Sequence, residues 1–307
     1  MAGGQERILR RRIRSVNSTK KITRAMELIA ATRVVKAQQR AAAARPYSEQ
    51  ITAVIQDLAA AGASVDHPLL REVDEVQKIA YVVITSDRGL AGAYNTNVIR
   101  AAEREILDRR ADGTDYELIL IGKKAEGYFR FRNYRIHSAF NGMSDTPTFE
   151  NAREVAEVVA GLFESGEVQQ VELVFTRFLS VGTQRVTVRR FMPLEASELE
   201  SDHEGPTADY EFEPDPEAIL TSLLPRYVEA RLFAALLDSA ASEHANRQRA
   251  MKSATDNAEE LITKLTRVMN RARQDSITTE IMEIVGGAEA LSQGGSSRDP
   301  DIGSTTA

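Results

Sequence analysis

Cysteine is absent from all 307 residues, which excludes disulfides, thiol catalysis and thiolate metal ligation. No apolar run reaches the roughly eighteen residues that a membrane-spanning helix needs. The basic, polar start also lacks the apolar core of a secretory signal. Catalytic signatures are missing too. There is no G-x-x-x-x-G-K-[ST] phosphate loop and no G-x-S-x-G elbow. His67, His137, His203 and His244 lie in unrelated segments without metal-ligand spacing. A free-standing enzyme is therefore not expected, and neither a cofactor nor a metal is expected.

What is present is helix at both ends. Apolar residues recur at Ile8, Ile13, Val16, Ile22, Met26, Ile29, Val34, Ile51, Val54, Ile55 and Leu58. Their spacing, often three or four, predicts one helix from about Gln5 to Ala60. A second stripe of Ile219, Leu223, Tyr227, Leu232, Leu236, Met251, Leu261, Leu265, Val268, Ile277, Ile281 and Ile284 predicts another from about Asp215 to Leu291. At 1.5 Å per residue these are rods of roughly 80 and 110 Å. Each has a narrow seam and is marginal alone, so the expected partner of one is the other, wound as a left-handed antiparallel coiled coil. From Ser239 to Ala258 the seam is dominated by Ala, Ser and Asn, which lets two backbones approach closely. Pro46 and Pro225 each remove one backbone donor, and because the apolar pattern resumes after both, they are expected to kink the helices without ending them.

Between the ends, Lys78 to Thr85 is a continuous apolar strand followed by the loop Ser86-Asp87-Arg88-Gly89-Leu90-Ala91-Gly92 and a helix to about Arg110. Further strands are expected at Tyr116 to Ile121, Tyr134 to Phe140, Val171 to Phe178 and Arg185 to Met192, with helices near Lys123 to Arg130 and Phe149 to Glu164. Strands alternating with helices predict a Rossmann-like, mainly parallel sheet with one antiparallel edge strand. The organisation expected is a helix at 1–60, a connector at 61–77, an α/β domain at 78–194, an acidic linker at 195–214, a helix at 215–291 and a disordered tail at 292–307. The strand-to-helix loop holds Gly89 and Gly92 but does not complete G-x-G-x-x-G, so a tight turn is preferred to a phosphate site. Asp87 and Arg88 either pair locally or face a partner.

Charge is distributed unevenly. Met1 to Arg45 carries twelve Lys/Arg against two Glu, whereas Glu195 to Glu217 holds ten Asp/Glu and neither Lys nor Arg. A basic rod fits nucleic acid, an acidic membrane or an acidic protein surface.

Four stretches decide among these. Ser18 to Thr32 (STKKITRAMELIAAT), Ser86 to Leu90 (SDRGL), Ala250 to Ala258 (AMKSATDNA) and Asn270 to Ile281 (NRARQDSITTEI) resemble the γ subunit of the rotary F-type ATP synthase of bacterial type. Glu213-Pro214-Asp215-Pro216 enters the last helix as that family does. The resemblance spans nearly the whole chain. It implies a central stalk, one copy per complex, standing inside a ring of α and β subunits and resting on the ε subunit and the membrane c ring. It implies a peripheral location on the cytoplasmic face of the cell membrane, no nucleic-acid partner, and catalysis that belongs to β. Carried over by motif, Arg24, Met26, Asp87, Arg88, Arg247, Gln274 and Thr278 would meet β, and Glu213 the c ring. Beside this, Met26 has a reading as seam filler, and Arg24 and Arg247 as solvated charges. Ala91 stands where many relatives have cysteine, and without any cysteine, control by thiol switching is excluded.

Overall fold

The computed structural model describes residues 2–60, 67–70, 73, 75–194 and 215–295. Glu213, the acidic linker 195–214 and residues 296–307 of the tail fall outside them. Among the described residues, ten elements and one 3₁₀ turn follow the chain: α1 (Ala2–Ala60), the turn Pro68–Leu70, β1 (Lys78–Ile84), α2 (Tyr94–Ala111), β2 (Asp115–Ile121), α3 (Lys123–Phe131), β3 (Ser138–Phe140), α4 (Phe149–Glu164), β4 (Gln170–Phe178), β5 (Gln184–Met192) and α5 (Pro216–Gly295). Both long helices run unbroken through their prolines. No described helix is long and apolar enough to cross a membrane.

The strands form one sheet in the order β3-β2-β1-β4-β5. All pairings are parallel except β4 with the edge strand β5. β1 reads as an unbroken apolar run because both its faces are covered. Ala80, Val82 and Ile84 face a core shared with α4, the Ile51–Leu58 stretch of α1 and the first turns of α5. Ile79, Tyr81 and Val83 face a second core with α2 and α3. α4 starts at Thr148, whose hydroxyl accepts from the Asn151 amide while the Asn151 side chain accepts from the Thr148 amide. Such a reciprocal cap contributes about 1 kcal/mol. At the end of β2, Gly122 has φ +93°, and a Cβ there would meet the Thr85 carbonyl at 2.3 Å. Only glycine lets α3 start so close to β1.

The chain divides into two compact units, one of residues 26–251 and one of the two chain ends, up to 25 and from 252. In the end unit, α1 and α5 run antiparallel, with Thr23 bonded to Thr255 at 2.8 Å and Lys20 paired with Glu259 at 3.0 Å.

The seam corrects part of the expected stripe. Along α1 the buried residues are Thr23, Ala30, Val34, Ala37, Ile51, Ile55 and Leu58, whereas Ile8, Ile22, Ile29 and Val54 are exposed. Along α5, Leu261, Val268, Ile277, Ile281 and Ile284 are exposed as well. Periodicity alone favours the larger apolar residue of two neighbours, but a close helix pair buries the smaller one.

Candidate functional site

The carboxyl ends of β1 and β2 carry the loop Ser86–Gly92 and the start of α3. Ser86 is fixed by Asn95, whose Oδ1 accepts from the Ser86 amide at 2.9 Å. Asp87 serves the fold. Its carboxylate accepts from the amides of Lys123 (3.2 Å), Gly142 (2.9 Å) and Ser144 (3.3 Å), while its own amide donates to the Ser144 hydroxyl. An anion at the first amide of α3 is also where the helix dipole favours it. Asp87 thus ties β1 to α3 and to the segment before α4. Arg88 and Leu90 point outward, and Leu90 holds a left-handed backbone with φ 64° while 61% exposed.

Between β1 and β4 the strand order reverses, the place where doubly wound sheets usually bind ligands. Here α5 occupies it. Ala250 lies 3.6 Å from the position of a Cβ on Gly92, and Arg247 donates to the Gly89 carbonyl from Nε at 3.4 Å and Nη2 at 3.3 Å. The same guanidinium pairs with Glu243 at 2.6 Å and meets His244 Nδ1 at 3.4 Å. His244 Nε2 lies 3.1 Å from the Asp145 carbonyl, and Arg33 of α1 pairs with the Asp145 carboxylate. Burial pushes Glu243 up against the pull of Arg247 and pushes His244 down.

Asp145, Glu243 and His244 place ligand atoms within 4.8 Å of one another, a grouping the histidine spacing did not announce. Its electrostatics are those of an ion-pair network. Arg33 and Arg247 balance the two carboxylates. Arg247 can only donate, so His244 Nδ1 accepts, Nε2 carries the proton toward the Asp145 carbonyl, and the ring keeps no lone pair for a metal. The i,i+4 pair Glu243–Arg247 was visible in the sequence. Asp145 and Arg33, 112 residues apart, carried no such signal.

The motif residues separate into two groups. Asp87 and Arg247 are engaged inside the fold, Arg247 only 7% exposed. Arg24, Arg88, Gln274 and Thr278 are exposed, and Met26 is half-buried. Thr278 donates to the Gln274 carbonyl at 3.0 Å, so those two share one face of α5.

The match to known proteins covers nearly the whole length. The ATP synthase family model fits residues 5–291. The ATP synthase gamma chain of Frankia casuarinae is 52% identical over 296 residues, spanning 95% of this chain and 99% of that one. The gamma chain of Mycolicibacterium smegmatis is 48% identical over 299 residues, 93% and 97% of the two. The chain belongs to the ATP synthase gamma chain family.

A solved Euglena gracilis mitochondrial ATP synthase (OSCP, F1 and c ring) contains a chain of the same fold, with TM-score 0.67 and 18% identity over 99% of this chain and 100% of that one. A second Euglena structure, of the rotor, matches with TM-score 0.63 over 90% of this chain. In this gamma chain, α5 packs on the β1–α2 loop at the switch point through Arg247 and Ala250.

Proposed function

We propose that this chain is the central rotor stalk of a bacterial F-type ATP synthase, passing torque between a proton-driven c ring and the catalytic β subunits. The observation that carries this reading is the identity of about half the residues with ATP synthase gamma chains over nearly the whole chain. The geometry supports it. From Ile277 to Leu291 every side chain of α5 is exposed, including Ile277, Ile281, Met282, Ile284, Val285 and Leu291. An apolar helix end of this kind calls for a sleeve supplied by other subunits. A charge crossing the membrane is worth about 2.3 kcal/mol per 100 mV, so several must be summed through one stiff element before a nucleotide is released.

Within this role Arg24, Met26 and Arg88 meet β from α1 and the β1–α2 loop, and Gln274 and Thr278 meet it from α5. Asp87 and Arg247 hold that loop in place. Glu213 meets the c ring, and the ε subunit binds the stalk. The chain is non-catalytic, present once per complex, and peripheral on the cytoplasmic face of the cell membrane, with the six segments drawn from the sequence as its working divisions. The basic α1 follows acidic β loops because exposed ion pairs, about 0 to 1 kcal/mol each, exchange readily.

The test is reconstitution with purified α and β subunits. A stable complex with stimulated ATP hydrolysis is expected, and neither complex nor stimulation would refute the role. In membranes, replacing Lys21 and Arg24 by Glu should lower proton pumping per ATP hydrolysed; unchanged coupling would remove the charge-following account.

A further inference from the structure

A cleft of about 890 Å³ opens between α1, α5 and the first residue of α4. It exists because alanines line both long helices, with Ala41, Ala44 and Ala230 on its floor and the exposed Ala53 and Ala234 at its rim. Aromatic rings make a wall: Phe149 stands edge-on to Tyr47 at 6.3 Å and to Phe233 at 5.6 Å. The volume is that of a small-molecule site, and the lining is mostly apolar. A second cavity of about 520 Å³ adjoins it, sharing Ser48, Thr52, Gln56, Ala234 and Asp238. This chamber is basic, with Arg177 from β4, Arg189 from the edge strand β5 and Arg231 from α5. Arg231 is held by stacking on Phe191 at 5.7 Å and Tyr227 at 5.4 Å.

We propose that the paired chambers bind an amphiphilic anion, its aromatic or alkyl body in the alanine-floored cleft and its carboxylate, sulfonate or phosphate head among Arg177, Arg189 and Arg231. The two cavities are lined by four arginines, counting Arg45, against Glu49 and Asp238, so the field favours a negative head. Asp238 stands at the junction of the two cavities. Burial pushes its carboxyl up to about 6 despite Arg177 and Arg45, so an arriving anion is met by a readily protonated acid. A body wedged between α1 and α5 would bridge two helices that also carry the α/β sheet's covering layer. A free amphiphile and a lipid headgroup offer the same chemistry.

Two fluorescent probes with one aromatic body separate the contributions: anilinonaphthalene sulfonate, which carries the anionic head, and N-phenylnaphthylamine, which lacks it. Each is titrated into the full-length chain, so the result is independent of the rotor role. The expected result is one saturable sulfonate site, weakened about tenfold or more by Arg177→Gln with Arg189→Gln, while the neutral probe is unaffected. Ala234→Trp, which fills the cleft from its exposed rim, should remove both. Asp238→Asn should tighten the sulfonate. Short-chain acidic phospholipid that displaces the sulfonate more strongly than decanoate would assign the site to lipid, and the reverse to a free amphiphile. Sulfonate binding that survives the arginine pair or Ala234→Trp, or that weakens with Asp238→Asn, would overturn the proposal.

Discussion

At the scale of single residues, Asp87 and Arg88 show how neighbours in one motif divide their work. Asp87→Ala strands three amides that now donate to one carboxylate. A loss of about 2 kcal/mol in unfolding free energy is expected, against less than about 0.5 kcal/mol for Arg88→Ala. Chemical denaturation of both variants checks the difference. If Arg88 meets β, its loss appears instead in coupling by the assembled complex. Arg247→Ala should cost roughly 3 kcal/mol, because Glu243 is left buried beside no cation.

Titration has a definite sign at two positions. Asp238 is raised from 3.8 to about 6, so its charged form is disfavoured in the fold and stability falls as pH rises through that window. Asp238→Asn should match the parent below about pH 4 and exceed it above pH 6 by about 1 to 2 kcal/mol, after allowance for solvent contact. His244 has the opposite sign. Its folded pKa is lowered by burial, so its contribution is complete above its ordinary value and is lost as pH falls below it. Melts of the parent and both variants, Asp238→Asn and His244→Gln, across pH 4 to 8 separate the two.

At the scale of elements, β1 was legible because a strand buried on both faces is apolar throughout, and β2 and β4 were legible from the apolar runs Leu118 to Ile121 and Leu173 to Phe175, despite the buried Glu117 and Glu172. α4 was legible from end to end because a cap and a strong apolar face coincide. β3 was read longer than its three residues, since Tyr134 and Ile136 are apolar but lie in the approach to the strand. The seam was the least legible feature. Ile22 and Ile29 carry the expected spacing yet are 60% and 54% exposed, beside Thr23 and Ala30 at 8% and 1%. Size cannot be inferred from period when two backbones pack closely. Ala30→Glu should therefore destabilise the chain by 2 kcal/mol or more, roughly the cost of burying a charge at a tight contact, while Ile29→Glu stays within about 0.5 kcal/mol. Thermal unfolding of the pair decides it. Gly122→Ala should also be severe, because its Cβ would overlap the Thr85 backbone.

At the scale of the whole molecule, the candidate site was legible as motifs and not as contacts. Arg247 could be placed on α5 by its sequence neighbours, but its burial against the Gly89 carbonyl depends on a fold that brings together residues 158 apart. The end-unit part of α5, with Ile281, Met282, Ile284 and Val285 exposed, fits the rotor role of the gamma chain family to which the chain belongs. Cysteine is absent, so Phe131→Cys, at a residue 84% exposed, gives a single labelling point. The most direct measurement attaches a bead there, anchors the ring of α and β subunits to a surface, and supplies ATP. Sustained rotation in one direction is the predicted result. ATP hydrolysis by the same complexes while the bead only fluctuates about a fixed angle would contradict the account.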